Sequence, residues 1–194
     1  MRPVRTSLLL AGALTLSGAL LAGAPQVGAP APQFTLTTLD GKAFSLAEAA
    51  RSHKAVVVMF IATKCPYSNA YNERMRDLAA AYEKQGVLFA GINSNKTEPA
   101  EEVTAHAKKH GLVFPIMKDP DNKVADLYDA RHTPEIFVVD PDGKLRYHGR
   151  IDENSDDASK VTSPDLKNAL DAMLGGRAIA KAETKAFGCS IKRV

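Results

Sequence analysis

The stretch "AVVVMFIATKCPYSNAY", residues 55–71, decides how this chain is read. Its first half, Ala55 to Ala62, is a continuous apolar run rich in β-branched residues. Such a run suits a strand buried on both faces, inside a sheet covered by helices. Then one cysteine appears, Pro66 follows, and Tyr71, Met75, Leu78 and Tyr82 recur at helical spacing. Gly86 stops that pattern, and "VLFAGIN" supplies a second apolar strand. Strand, helix and strand of these lengths predict a parallel pair joined by a crossover.

Cys65 therefore falls just after a buried strand, at the first residues of a helix. Functional groups in open α/β sheets gather at the carboxyl ends of strands. A helix start offers unpaired N–H groups that favour thiolate over thiol and can bring a cysteine pKa to roughly 3.5–7.5. Pro66 fits the first helical turn, where a missing N–H costs nothing, and Lys64 adds positive charge. These features read as a reactive thiol, against the alternatives of an inert buried cysteine or half of a structural disulfide. Ser68 stands where a dithiol redox motif would carry its second cysteine, and the only other cysteine is Cys189.

Outward from this core, "FTLTTLDGKAFSL" predicts a hairpin turning at Asp40-Gly41. A second helix is expected from about Glu98 to Gly111, with Lys108, Lys109 and His110 suiting its C-terminus. "LVFPIM" contains Pro115 and reads as an edge strand or extended loop. "EIFVV" and "KLRYHGRI", joined at Asp140 to Gly143, form an antiparallel hairpin. Ser163 caps a last helix carrying Leu166, Ala169, Leu170, Met173 and Leu174, which Gly175 and Gly176 end. The acidic "IDENSDD" reads as a solvated loop. The fold class is α/β: a central mixed sheet with helices on both faces and an N-terminal hairpin extension.

The ends read differently. Residues 1–24 carry Arg2 and Arg5 before an apolar run and the small-residue exit "AGA", the pattern of a signal peptide or, if retained, of a membrane anchor. Residues 25–32 form a Pro/Ala/Gly linker, residues 33–176 the domain, and residues 177–194 a flexible-looking tail that bears Cys189. The full chain has 194 residues and a formal charge of +3, and removing the leader leaves 23 basic against 22 acidic residues. With no basic stripe and no interleaved aromatics, nucleic acid is excluded as a partner. Export to the periplasm or beyond permits disulfides.

"FIATKCPYSNAYNERM", "GINSNKTEP", "LYDARHTPEIFVVDPDGKLRYHGRID" and "FGCSIKR" together resemble the peroxiredoxin-like (redoxin, alkyl hydroperoxide reductase/thiol-specific antioxidant type) branch of the thioredoxin superfamily. The resemblance spans about Gln33 to Arg193. It implies a thioredoxin-like fold, redox activity through Cys65 without cofactor or metal, and a cis-proline at Thr133-Pro134 that packs on the cysteine and binds extended substrate. Peroxidatic sites of the Pro-x-x-x-Thr-x-x-Cys type are departed from here, since Val58 and Ala62 occupy the proline and threonine positions.

Thiol catalysis usually needs a second thiol to resolve the first adduct. Cys189 is the only candidate, and Gly188 before it would permit a close backbone approach. Three readings stay open: a resolving partner, a structural staple, or unrelated thiols. Arg150, like Arg131, is a candidate for stabilising a thiolate, and Asn93 and Asn95 end the second parallel strand on the same sheet edge, where they either line the site or, the reading their residue type favours, cap the next helix. The expectation is an exported thiol–disulfide oxidoreductase acting on a thiol/disulfide protein partner or a small peroxide. Its alternatives are a thiol peroxidase, a copper chaperone using Cys65, Cys189, His132 and His148, or a redox-inactive scaffold.

Overall fold

The structure, a computed structural model, describes residues 24–194. The leader lies outside the described residues but for Ala24, and no helix among those described is long and apolar enough to cross a membrane. A short hairpin opens the domain, β1 (Thr35–Thr37) against β2 (Ala43–Ser45), followed by helix α1 (Leu46–Ser52). Next come β3 (Ala55–Phe60), α2 (Pro66–Ala70), α3 (Asn72–Glu83) and β4 (Val87–Asn93). Helix α4 (Ala100–His110) leads to β5 (Ile116–Lys118) and α5 (Lys123–Leu127). Strands β6 (His132–Thr133), β7 (Glu135–Val139) and β8 (Leu145–Gly149) precede helix α6 (Asp165–Leu174) and a last strand, β9 (Cys189–Ser190).

The central sheet runs β5-β4-β3-β7-β8. Strand β3 is parallel to β4, which is parallel to β5, while β7 is antiparallel to both β3 and β8. Every residue of β3 is buried because both faces are covered, and the alternation of side chains divides it between two cores. Val57 and Met59 face α3 and α6 through Met75, Ala79, Leu166 and Leu170. Val56, Val58 and Phe60 face α1, α5 and the hairpin through Leu46, Ala50, Val124 and Phe44. The expected mixed sheet with helices on both faces is thus the observed fold.

Several details differ from the sequence reading. The helix expected from Cys65 to Gln85 is two helices, because Tyr71 tightens the chain by donating its N–H to Ser68 O (3.2 Å), one turn-residue short of the α-helical partner. The apolar face of α3 is nevertheless the predicted one: Met75 and Tyr82 are buried, with Leu78 packed against them. Helix α1 escaped notice because its seven residues hold only Leu46, Ala49 and Ala50 as buried positions. Pro164, not Ser163, takes the cap position of α6, and the Ser163 hydroxyl instead donates to Asp165 at 2.6 Å.

Both segments read as loosely attached are docked. Within the proposed linker, Gly28 N–H donates to Leu145 O, and Ala31 N–H to Gly143 O. Ala31 is buried, so this stretch extends the β7–β8 hairpin instead of hanging free. The tail is fixed along its length: Thr184 pairs with His148, Ile191 N–H donates to Arg131 O, and Ile191 enters the core beside α5. The acidic segment is not a free loop either. Asp152 is buried and accepts two bonds from Arg74 Nη1, at 2.8 and 2.7 Å, plus one from the Tyr71 hydroxyl.

Candidate functional site

Cys65 lies at the carboxyl end of β3, as the sequence predicts, and caps α2. Its backbone is extended (φ −87°, ψ 117°), and its Sγ accepts the Ser68 N–H at 3.4 Å. Pro66 takes the first helical position, where no N–H is needed. The thiol donates to the Thr133 carbonyl at 3.1 Å, across from a cis Thr133–Pro134 peptide bond. Ser68 is buried, and its Oγ accepts the Ala62 N–H at 3.1 Å. In the place of a second motif cysteine, this hydroxyl ties the helix to the end of β3.

Cys189 arrives from the other side. Strand β9 pairs antiparallel with β6, setting Cys189 opposite Thr133 and Ser190 opposite His132. Gly188 makes that approach possible: at φ +150°, any Cβ would overlap the Thr133 carbonyl oxygen. The two cysteines are close enough for each to act on the other's protonation. Tyr67 and Phe187 close over this junction as an edge-on aromatic pair, 6.1 Å between centroids. Cys65 is only 3% exposed, whereas Cys189 is part-exposed, and no disulfide joins them.

Burial alone would push the Cys65 thiol up. The influence of the Cys189 thiol, the Thr133 side chain, the Ser68 N–H and the Cys189 N–H outweighs it, and the Cys65 pKa falls below its ordinary value. Cys189 moves oppositely, pushed up to about 11 by burial and then by the hydrogen bond and charge of Cys65. The pair thus holds one negative charge more readily than two, and holds it on Cys65. The Thr133 hydroxyl is buried with no hydrogen-bond partner among the described residues.

Two buried carboxylates, neither singled out by sequence reasoning, brace this arrangement. Glu98, 1% exposed, accepts the N–H groups of Thr63 (2.8 Å) and Lys64 (3.1 Å), directly before Cys65. Asn93 and Asn95, expected near the site or as caps, spend their amides on the same carboxylate at 2.6 and 3.0 Å. Glu135 follows Pro134 and accepts the N–H groups of Arg131 (2.7 Å) and His132 (2.9 Å), with His148 Nε2 at 2.8 Å. The available signal was an acidic residue inside a polar run at a strand end, or at the first position of an apolar strand. Their partners are distant in sequence and could not be read.

Other expected residues lie elsewhere. The Arg150 guanidinium is committed to Asp165 at the start of α6 (2.7 Å), so the structure does not bring it to the thiols. Arg131 pairs with Asp129 at the surface. The copper constellation is not assembled: among the described residues no three His, Cys, Asp or Glu side chains cluster as a metal site, and His148 is spent on Glu135.

Comparison with known proteins agrees with this geometry. The AhpC/TSA family matches residues 27–148. The chain is 32% identical over 120 residues to the thiol-disulfide oxidoreductase ResA of Geobacillus thermodenitrificans (strain NG80-2), covering 62% of this chain and 67% of that protein. It is 30% identical over 148 residues to ResA of Bacillus subtilis (strain 168), covering 73% and 80%. Among solved structures, a hypothetical protein from Sinorhizobium meliloti 1021 superposes with a TM-score of 0.80 at 34% identity, covering 89% of this chain and 97% of that one. A thiol:disulfide interchange protein DsbE from Chlorobium tepidum, described as putative, shares the fold at TM-score 0.66 and 21% identity, over 78% and 100%. The chain belongs to the AhpC/TSA family, a redoxin family of the thioredoxin superfamily, and is a thiol-dependent oxidoreductase.

Proposed function

We propose that the protein is an exported thiol–disulfide oxidoreductase of peroxiredoxin-like type, with Cys65 as nucleophile and Cys189 as resolving thiol. The observation that carries this reading is the β6–β9 pairing, which sets Cys189 opposite the residue whose carbonyl touches Cys65. The Cys65 thiolate attacks a substrate disulfide, forms a mixed disulfide, and expels one substrate thiolate, which takes up a proton. Cys65 is then neutral, so of the causes that raise Cys189 burial remains, while the hydrogen bond and charge of Cys65 are gone. Cys189 becomes the better acid at the step that needs it, attacks Cys65, and expels the second substrate thiolate. The substrate gains two electrons and the protein closes one disulfide.

A second reading has its own support. The tail strand already covers the Thr133 edge and Cys65 is nearly enclosed, which suits a small peroxide better than a bulky protein. Thr133, whose carbonyl touches Cys65, also carries a buried hydroxyl with no hydrogen-bond partner among the described residues, while Ala62 holds the position of the absent peroxidatic threonine. In that route Cys65 becomes a sulfenic acid with release of alcohol or water, and Cys189 condenses with it to the same disulfide, releasing water.

One experiment separates them. Reduced Cys189→Ser is exposed to a cysteine-containing disulfide peptide or to hydrogen peroxide and analysed by mass spectrometry. Faster formation of a peptide adduct on Cys65 supports exchange; a sulfenic acid formed at a rate approaching roughly 10⁸ M⁻¹s⁻¹ makes peroxide the substrate. No adduct of either kind leaves only a redox-inactive scaffold. Export rests on the Arg2, Arg5 and apolar pattern of the leader, and is tested by cell fractionation with N-terminal sequencing of the mature chain.

A further inference from the structure

The Cys65 turn and the Cys189 strand come from opposite ends of the domain, yet both are tied to one carboxylate. Glu98 Oε2 accepts Thr63 N–H and the Asn93 amide, and Oε1 accepts Lys64 N–H and the Asn95 amide. Thr63 and Lys64 are the residues immediately before Cys65. Asn95 then turns its oxygen to the tail and accepts the Lys192 N–H at 2.6 Å, three residues beyond Cys189. The Lys96 N–H donates to the Lys192 carbonyl at 2.9 Å, closing a second bond to the same tail residue. Lys118 completes the cluster, its ammonium on Asn93 Oδ1 (2.6 Å) and the Asn95 carbonyl (2.9 Å).

We infer that Glu98 is a positioning residue that holds the Cys65 turn and, through Asn95, the Cys189 strand in one register, and so sets how readily the two sulphurs join. Burial gives the argument its force. At 1% exposure, the carboxylate has exchanged water for four N–H donors, and each loses its partner if the carboxylate goes. The turn has other contacts: the Lys64 ammonium on Glu102 (2.9 Å) and Thr97 O (2.8 Å), the Thr63 hydroxyl on Glu102 (2.8 Å), and the Asn69 amide on Thr63 O (2.9 Å). They hold the two side chains and the Thr63 carbonyl without fixing the two peptide N–H groups. Asn95 has no substitute in linking the cluster to Lys192 N–H.

The inference rests on the proposed Cys65–Cys189 pairing, and the test separates the two. Wild type, Glu98→Gln and Asn95→Ala, each verified as folded by circular dichroism, are equilibrated in glutathione redox buffers, acid-quenched and read by mass spectrometry. Both variants are expected to lower the equilibrium constant for closing the disulfide at least tenfold, about 30 mV in potential. In a Cys189→Ser background, Glu98→Gln is expected to alter the pH profile of Cys65 alkylation, and Asn95→Ala, which keeps the carboxylate on the Thr63 and Lys64 N–H groups, to alter it less. A constant within twofold of wild type in both folded variants would overturn the inference. Should Glu98→Gln not fold, the Asn95→Ala constant decides on the same threshold. A wild type that forms no Cys65–Cys189 disulfide would defeat the functional reading itself. The alkylation profile would then judge Glu98 alone, an unaltered profile overturning its role and an altered one supporting it.

Discussion

Replacing Gly188 by alanine should detach the two sulphurs without touching either. Gly188 sits at φ +150°, and a Cβ there would overlap the carbonyl oxygen of Thr133, the residue paired with Cys189. Backbone of this kind costs a non-glycine residue about 1–3 kcal/mol, and here the overlap must also be relieved by moving β9 outward. A cost of about 2 kcal/mol lowers the docked-to-undocked ratio of the strand roughly 30-fold. If disulfide closure needs the docked strand, its equilibrium constant falls by up to the same factor, a limit of about 45 mV. Cys65 meanwhile loses its cover, so its alkylation by iodoacetamide accelerates at neutral pH. Glutathione equilibration gives the first quantity and timed alkylation with mass spectrometry the second. A folded Gly188→Ala protein with an unchanged constant and a still-protected Cys65 would refute the claim that the β6–β9 register brings the thiols together.

Three further outcomes follow from the same contacts. In the wild type Cys65 should alkylate with a midpoint below the ordinary thiol range near about 8.5, whereas Cys189, raised to about 11, should drop markedly in Cys65→Ser, where the opposing charge is gone. Arg74→Ala should lower stability to urea by about 3–5 kcal/mol, since it strands the buried Asp152 carboxylate and strips its cover from the Tyr71 ring. Arg74→Lys should restore little, because the fork also serves Asn154 O and Ser155 O. Burial would raise Glu98 and Glu135, but the N–H, amide and imidazole donors around them win and hold both below the usual carboxylate range. The unfolded chain therefore takes up protons first, so stability should be level above about pH 5 and fall progressively below about pH 4.3, with a shallower fall in Glu135→Gln.

The legible part of this molecule is what periodicity and termini encode. The run from Ala55 to Ala62 declared a doubly buried strand, the stop at Gly86 declared a crossover, and together they placed Cys65 at a strand end and helix start. The illegible part is partner choice over long separations. Nothing local tells Glu98 to bond Thr63 and Lys64, or Asp152 to bond Arg74 and Tyr71, because a buried carboxylate has the same sequence signature as a solvated one. The tail shows the limit most clearly. Residues 177–187 lack a helical or alternating pattern and so read as loose, yet two backbone bonds to His148, one to Arg131, the β6–β9 pairing, the Lys192 bonds to Asn95 and Lys96, and the buried Ile191 hold the tail in place. Arg150 erred the other way: a plausible charge for a thiolate proved to have a closer carboxylate, Asp165.

The central claim is that Cys65 and Cys189 form a cycling pair, and the reduction potential of that pair tests it most directly. The full-length protein is equilibrated across dithiothreitol and glutathione buffers, and the Cys65–Cys189 disulfide is quantified by peptide mapping at each potential. The account predicts a native-state transition at about −120 to −270 mV, the range of working oxidoreductases. A pair that stays oxidised below about −300 mV until the protein unfolds would be a structural staple, and a pair that never joins would leave Cys65 without a partner. Either result would contradict the account.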